Sequence, residues 1–87
     1  MLLVRNKVKD FDHWKNVFDA NLEPPRAAGL TPVAMWRSVD DRNEVFFTFE
    51  VEDRARAETF MAAPESAATG VEAGVVDGQA YFVEPVV

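Results

Sequence analysis

The opening stretch MLLVRNKVKDFDHWKNVF admits few folds. Leu2, Val4, Asn6 and Val8 share one face of a period-two strand, and Leu3, Arg5 and Lys7 share the other. The first face is apolar except at Asn6. Asp10 is placed to cap a helix, because its carboxylate can accept from the free N–H groups of the first turn. Asp12 adds negative charge near the positive end of the helix dipole. Phe11, Trp14, Val17 and Phe18 then make one apolar stripe at helical spacing. The corner between strand and helix is short. The helix must therefore fold back so that its stripe meets the apolar face of the strand.

The rest of the chain reads as packing onto that unit. Pro24 and Pro25 end the first helix, which should run from Phe11 to Asn21. A short turn carries Arg26 to Ala28, and Gly29 closes it. Leu30 to Val39 is the second strand, Asp40 to Asn43 a turn, and Glu44 to Val51 the third strand. Asp53 caps a second helix with Ala57, Phe60 and Met61 on its apolar side; Pro64 interrupts it, and Glu65 to Glu72 continues. Gly74 to Gly78 reads as a loop and Gln79 to Pro85 as the last strand. The sequence of elements predicts an α+β, ferredoxin-like βαββαβ fold. Its antiparallel sheet should have the order 4-1-3-2, with both helices on one face. Pro32 suits an edge position for the second strand.

The hairpin between the second and third strands carries a register argument. If Val39 and Glu44 flank the turn, Trp36 lies opposite Phe47 and Ala34 opposite Phe49. Trp36 would then point into the same space as Asn6 and Trp14. The other sheet face would carry Leu3, Arg5, Lys7, Val33, Met35, Arg37, Phe46, Thr48 and Glu50. Leu3, Met35 and Phe46 exposed together would be a costly patch on a monomer. The expectation is a homodimer whose sheets pack face to face through Leu3, Arg5, Met35, Arg37 and Phe46, with charges such as Arg5 and Glu50 pairing.

Size and charge narrow the function classes. The 87 residues make a single domain, residues 1–87, that buries roughly 60% of its unfolded surface, so association is expected. With no cysteine and one histidine, there is no disulfide frame, no zinc–sulfur site and no multi-histidine metal site within one subunit. A net charge of −6 argues against nucleic acid as partner. Arg5, Lys7, Lys9 and Asp10 interrupt the opening apolar run too early for a signal peptide, and no run reaches transmembrane length. A cytoplasmic protein without membrane contact is expected.

Each candidate for chemistry has a plain alternative. Asn6 could orient a substrate carbonyl or hydroxyl, or bond a backbone group or a buried water. Trp14 and Trp36 could stack on a planar ligand, or simply fill the core. His13, the only histidine, is the obvious general base, yet it lies on the shoulder of the apolar stripe, where a surface position is the plainer explanation. Tyr81 could donate a hydrogen bond, but no turn fixes which face it occupies. Arg26 could gate a pocket mouth or anchor an anion, or remain solvated. Asp40 and Asp41 are explained by a turn.

Several segments resemble one known family. VRNKVKDFDHW, DDRNEV, FEVED with Ala57, Phe60 and Pro64, and AGVVDG are similar to a group of small bacterial proteins of the dimeric α/β-barrel superfamily. These often carry labels such as cyclase or antibiotic-biosynthesis monooxygenase. The resemblance spans nearly the whole chain and rests on caps, turns and core positions. It implies a homodimer with a small apolar pocket between sheet and helices in each subunit. In the haem-degrading branch, an Asn on the first strand acts with a Trp on the third strand and a His on the second helix. Asn6 resembles the first, while the third strand has no Trp and the second helix no His, so no haem or other cofactor is expected. The implied activity is cofactor-free oxygenation or cyclisation of an aromatic, polyketide-like compound. Asn6 and His13 would then carry the chemistry, with Trp14, Trp36, Tyr81 and Arg26 around the ligand. The alternative is a ligand-binding or stress-related module with no catalysis.

Overall fold

The computed structural model describes residues 1–86. Its elements are β1 (Leu2–Val8), α1 (Phe11–Ala20), α2 (Glu23–Ala27), β2 (Leu30–Arg37), β3 (Glu44–Val51), α3 (Arg54–Ala62), α4 (Pro64–Glu72) and β4 (Val75–Phe82). The sheet order is β2-β3-β1-β4, with every neighbouring pair antiparallel. This is the expected ferredoxin-like arrangement. No helix among the described residues is long and apolar enough to cross a membrane.

Local chemistry sets the element ends. The Asp10 carboxylate accepts from the His13 N–H at 3.3 Å, and Asp53 accepts from the N–H groups of Ala55 and Arg56. Gly29 and Gly74 end α2 and α4 with φ of 81° and 79°, a conformation that costs glycine nothing. Asn43 joins two corners. Its carbonyl accepts from Val8 N–H at 2.8 Å and its Oδ1 from Phe11 N–H at 3.1 Å, so the β2–β3 loop is stitched to the start of α1.

The core lies between the helices and one sheet face. Trp14 is 2% exposed and stacks on Phe18 with ring centroids 5.0 Å apart; Phe47 follows at 5.5 Å. Leu2, Val8, Val17, Leu30, Val45, Phe49, Ala57 and Ala73 complete the buried set.

The hairpin register differs from the expected one by a residue. Ser38 N–H bonds the Glu44 carbonyl, so the loop is Val39 to Asn43, with Val39 wholly exposed at its tip. Trp36 is therefore paired with Phe46 and Met35 with Phe47. A one-residue slip moves a strand's side chains to the opposite face. Met35 and Arg37 consequently face the helices, Met35 packing on the core and the Arg37 guanidinium lying 4.7 Å from the centre of the Phe11 ring. Trp36 stands on the outer face, 54% exposed. Val33 is an extra residue between Pro32 and Ala34, a bulge beyond which Leu30 pairs with Val51. A second irregularity places Val76 as an extra residue in β4.

The last strand also begins earlier than expected. Val75 to Phe82 pair with β1, so the segment read as a loop is mostly strand, while Val83 to Pro85 lie beyond it. Gly78 belongs to the ladder opposite Asn6.

The molecule measures 34 × 31 × 18 Å, room for one sheet and one helical layer, and among the described residues no layer covers the outer sheet face. Leu3, Phe46, Trp36, Ala34 and Tyr81 stand on that face. Arg5 lies among them, with Nε 2.8 Å from Glu44 and Nη1 3.3 Å from Asp77, and Lys7 pairs with Asp41. The hydrogen bond to Glu44, then that to Asp77, holds the Arg5 guanidinium above its ordinary pKa. Arg5 is thus partnered within its own chain.

Thr48 sits in the middle of the outer face, 8% exposed, and its hydroxyl is buried with no hydrogen-bond partner among the described residues. Such an orphan costs about 1–3 kcal/mol. Thr48→Val keeps the shape and removes the orphan, so it should stabilise the protein by about 1 kcal/mol. Urea denaturation checks this. A fall in stability would show that the hydroxyl has a partner in solution, which a second subunit could supply.

Candidate functional site

Proline punctuation opens a cleft at one end of the helical layer. Pro24 and Pro25 stop α1 and start α2, and at Pro64 the chain breaks between α3 and α4, with Ala63 in an extended conformation. The helices therefore stop short over the sheet and leave aromatic side chains partly uncovered. The result is a cleft of about 200 Å³. Phe47 and Phe49 of β3 form its floor, Phe18 of α1 and Phe60 of α3 its sides, and Leu22 and Pro25 one end. The Phe18 ring centroid lies 5.2 Å from that of Phe47 and 6.1 Å from that of Phe49. Asn21, Glu65, Ser66 and Thr69 supply its polar atoms. A shallow open groove between α2 and α3, which includes Arg56, adjoins it at Pro24 and Phe60.

The cleft is smaller than the roughly 300 Å³ of most ligand pockets. It still exceeds the ~150 Å³ that suffices for benzene. One ring with a short arm fits, whereas a fused polycyclic compound requires the walls to move.

The side chains that bear polar atoms here are already partly engaged. Asn21 Nδ2 donates to the Val17 carbonyl at 2.8 Å, Ser66 Oγ to the Phe60 carbonyl at 2.5 Å and Thr69 Oγ1 to the Glu65 carbonyl at 2.9 Å. These bonds fix the ends of α1, α3 and α4 around the opening.

The residues singled out in the sequence lie elsewhere. Asn6 is half-buried on the helix-facing side of β1, between Val45 and Gly78. Its Oδ1 lies 2.9 Å from where a Cβ on Gly78 would stand, so the missing side chain of Gly78 makes room for it. Among the described residues, Asn6 makes no side-chain hydrogen bond within the chain. His13 is exposed, and its Nε2 donates to the Glu72 carbonyl at 2.8 Å, tying the first turn of α1 to the end of α4. Trp14 is core. Trp36 stands on the outer face instead of beside Asn6 and Trp14. Tyr81 faces the same way next to Leu3, 51% exposed, which settles its side of the sheet. Arg26 is exposed on α2. Asn6 and Trp14 thus share the helix-facing side and Trp36 and Tyr81 the outer one, while none of these residues lines the cleft.

Phe18, Phe47, Phe49 and Phe60 are legible in the sequence as core residues, but the gap between them is not. Asn21, Leu22, Glu65, Ser66 and Thr69 escaped notice as well. The available signal was the spacing of helix breakers: Pro24-Pro25 and Pro64 each stop a helix whose apolar stripe has more aromatic surface beneath it than the helix can cover.

No protein-family model matches the chain, and no curated protein matches it. Solved structures do. One is an antibiotic biosynthesis monooxygenase, 18% identical with a TM-score of 0.68, the match covering 99% of this chain and 97% of that one. Another is an uncharacterised NIPSNAP domain protein from Burkholderia xenovorans, 14% identical with a TM-score of 0.69, covering 99% of this chain and 95% of that one. Such likeness over nearly full length establishes the fold: the chain shares the α+β architecture of these structures, a four-stranded antiparallel sheet with helices on one face.

Proposed function

We propose that this chain, with that architecture, is a cytoplasmic small-molecule-binding protein that works as a homodimer. The observation that supports binding is the aromatic-floored cleft over Phe47 and Phe49. What supports the dimer is the uncovered sheet face, where Trp36, Tyr81, Leu3 and Phe46 form an apolar surface around a buried Thr48. The paired state of Arg5 and Lys7 lowers the cost of covering that face, because neither cation loses its partner on burial. Native mass spectrometry of the purified protein tests both parts. A dimer is expected, with a small-molecule adduct or with one acquired in a ligand screen. A monomer that takes up no apolar compound would overturn the reading.

A second reading, cofactor-free oxygenation or cyclisation of an aromatic compound, is favoured by Asn6. A half-buried amide with no side-chain hydrogen bond among the described residues has hydrogen-bonding capacity to give to a substrate carbonyl or oxyanion. His13 would act as base through Nδ1, since Nε2 is engaged by Glu72. Asn6→Ala should shift stability by less than about 1 kcal/mol, because no intrachain hydrogen bond is lost. On the catalytic reading it abolishes turnover of the identified ligand. Large destabilisation would instead make Asn6 a core hydrogen-bonding residue.

A further inference from the structure

The polar chemistry at the cleft constrains a ligand more sharply than its shape does. Resting on the reading of the cleft as the ligand site, we infer that it selects apolar ligands carrying a hydrogen-bond donor, above all a protonated amine, and rejects carboxylates and phosphates. The side chains at the opening offer mainly acceptors. Ser66 and Thr69 each spend their one hydroxyl hydrogen on a backbone carbonyl, leaving lone pairs toward a ligand. Asn21 commits one amide hydrogen to Val17 and keeps Oδ1 together with its second N–H, the one side-chain donor set against these acceptors among the described lining residues. Glu65, exposed on the first turn of α4, accepts only and carries a negative charge. Among the described residues, no arginine, lysine or histidine lines the cleft.

Two features oppose this, and each is partly offset. The start of α4 carries a positive partial charge that would favour an anion. Its first residue is Pro64, which has no N–H; the Ser66 N–H is bonded to the Ala63 carbonyl at 3.0 Å, and Glu65 itself already places a carboxylate in that turn. Arg56 in the adjoining groove donates to the Ala27 carbonyl, and its Nη1 and the Glu52 carboxylate both lie close to Gly29. The formal net charge of −6 adds a long-range field of the same sign, which raises the local concentration of cations and lowers that of anions.

The test uses ligands that share one ring and differ at the head group: 2-phenylethylammonium, 2-phenylethanol and phenylacetate. Their affinities for the wild-type protein and for Glu65→Gln are measured by ligand-detected NMR. The expected order is ammonium, then alcohol, then carboxylate. Glu65→Gln should weaken the ammonium ligand roughly threefold and leave the alcohol unchanged. Phenylacetate binding as well as the ammonium would overturn the donor rule while leaving the cleft in place. An ammonium preference that survives Glu65→Gln would overturn the role given to Glu65. Failure of all three ligands to bind would remove the cleft itself as a ligand site, and this inference with it.

Discussion

Trp14→Ala should leave a protein that is barely folded. Trp14 is almost fully enclosed, with Phe11, Phe18 and Phe47 around it, and it joins α1 to the sheet. Truncating such a residue costs about 3–5 kcal/mol, because the void cannot close around so many stiff rings. A domain of this size has a total stability of only about 4–13 kcal/mol. The melting temperature should fall by roughly 15 °C or more. Circular dichroism melts of the wild type and the variant measure it. A drop of only a few degrees would mean that Trp14 is not the centre of the core.

The second tryptophan should behave in the opposite way. Trp36→Glu leaves the core untouched, since the side chain stands half-exposed on the outer face beside Phe46. Its effect should fall on association. A carboxylate placed in an apolar interface has no partner, and loss of a central aromatic anchor alone costs about 2 kcal/mol or more, roughly thirtyfold in dissociation constant. Sedimentation at micromolar concentration should show a dimer for the wild type and a monomer for Trp36→Glu, each with the same far-ultraviolet spectrum. A variant that still sediments as a dimer would place the interface elsewhere.

These two residues also show how far the sequence could be read. The helix caps Asp10 and Asp53, the breaks at Pro24 and Pro64 and the strand order follow from local chemistry that leaves a mark on each residue concerned. Register does not. DDRN reads as a complete turn, and Val39 has the composition of a strand residue, yet the loop takes Val39 in and leaves it bare. That single residue moves Trp36 from the helix-facing side to the outer face. The bulge at Val33 is equally silent, because it depends on how Pro32 and Ala34 meet β3 rather than on Val33 itself. Gly78 reads as a loop residue because glycine favours loops. In the structure its lack of a side chain serves the neighbouring Asn6. The cleft was the least legible feature. Its floor and sides are ordinary core phenylalanines, and only the places where the helices stop turn them into a surface.

The irregularities at Val33 and Val76 govern how this chain can grow. β2 and β4 are the free edges of the sheet, and each carries an extra residue that interrupts its outward row of N–H and C=O groups. Pro32 removes a donor from one of them. Strand-by-strand addition of further copies, the open-ended route that leads to fibrils, therefore meets a broken template on both sides. Stacking through the bare face uses up that face in both partners and so terminates after one step. If the proposed dimer forms, such a chain should tolerate high concentration: association through the outer face is self-limiting, and each sheet edge among the described residues is interrupted by a single extra residue.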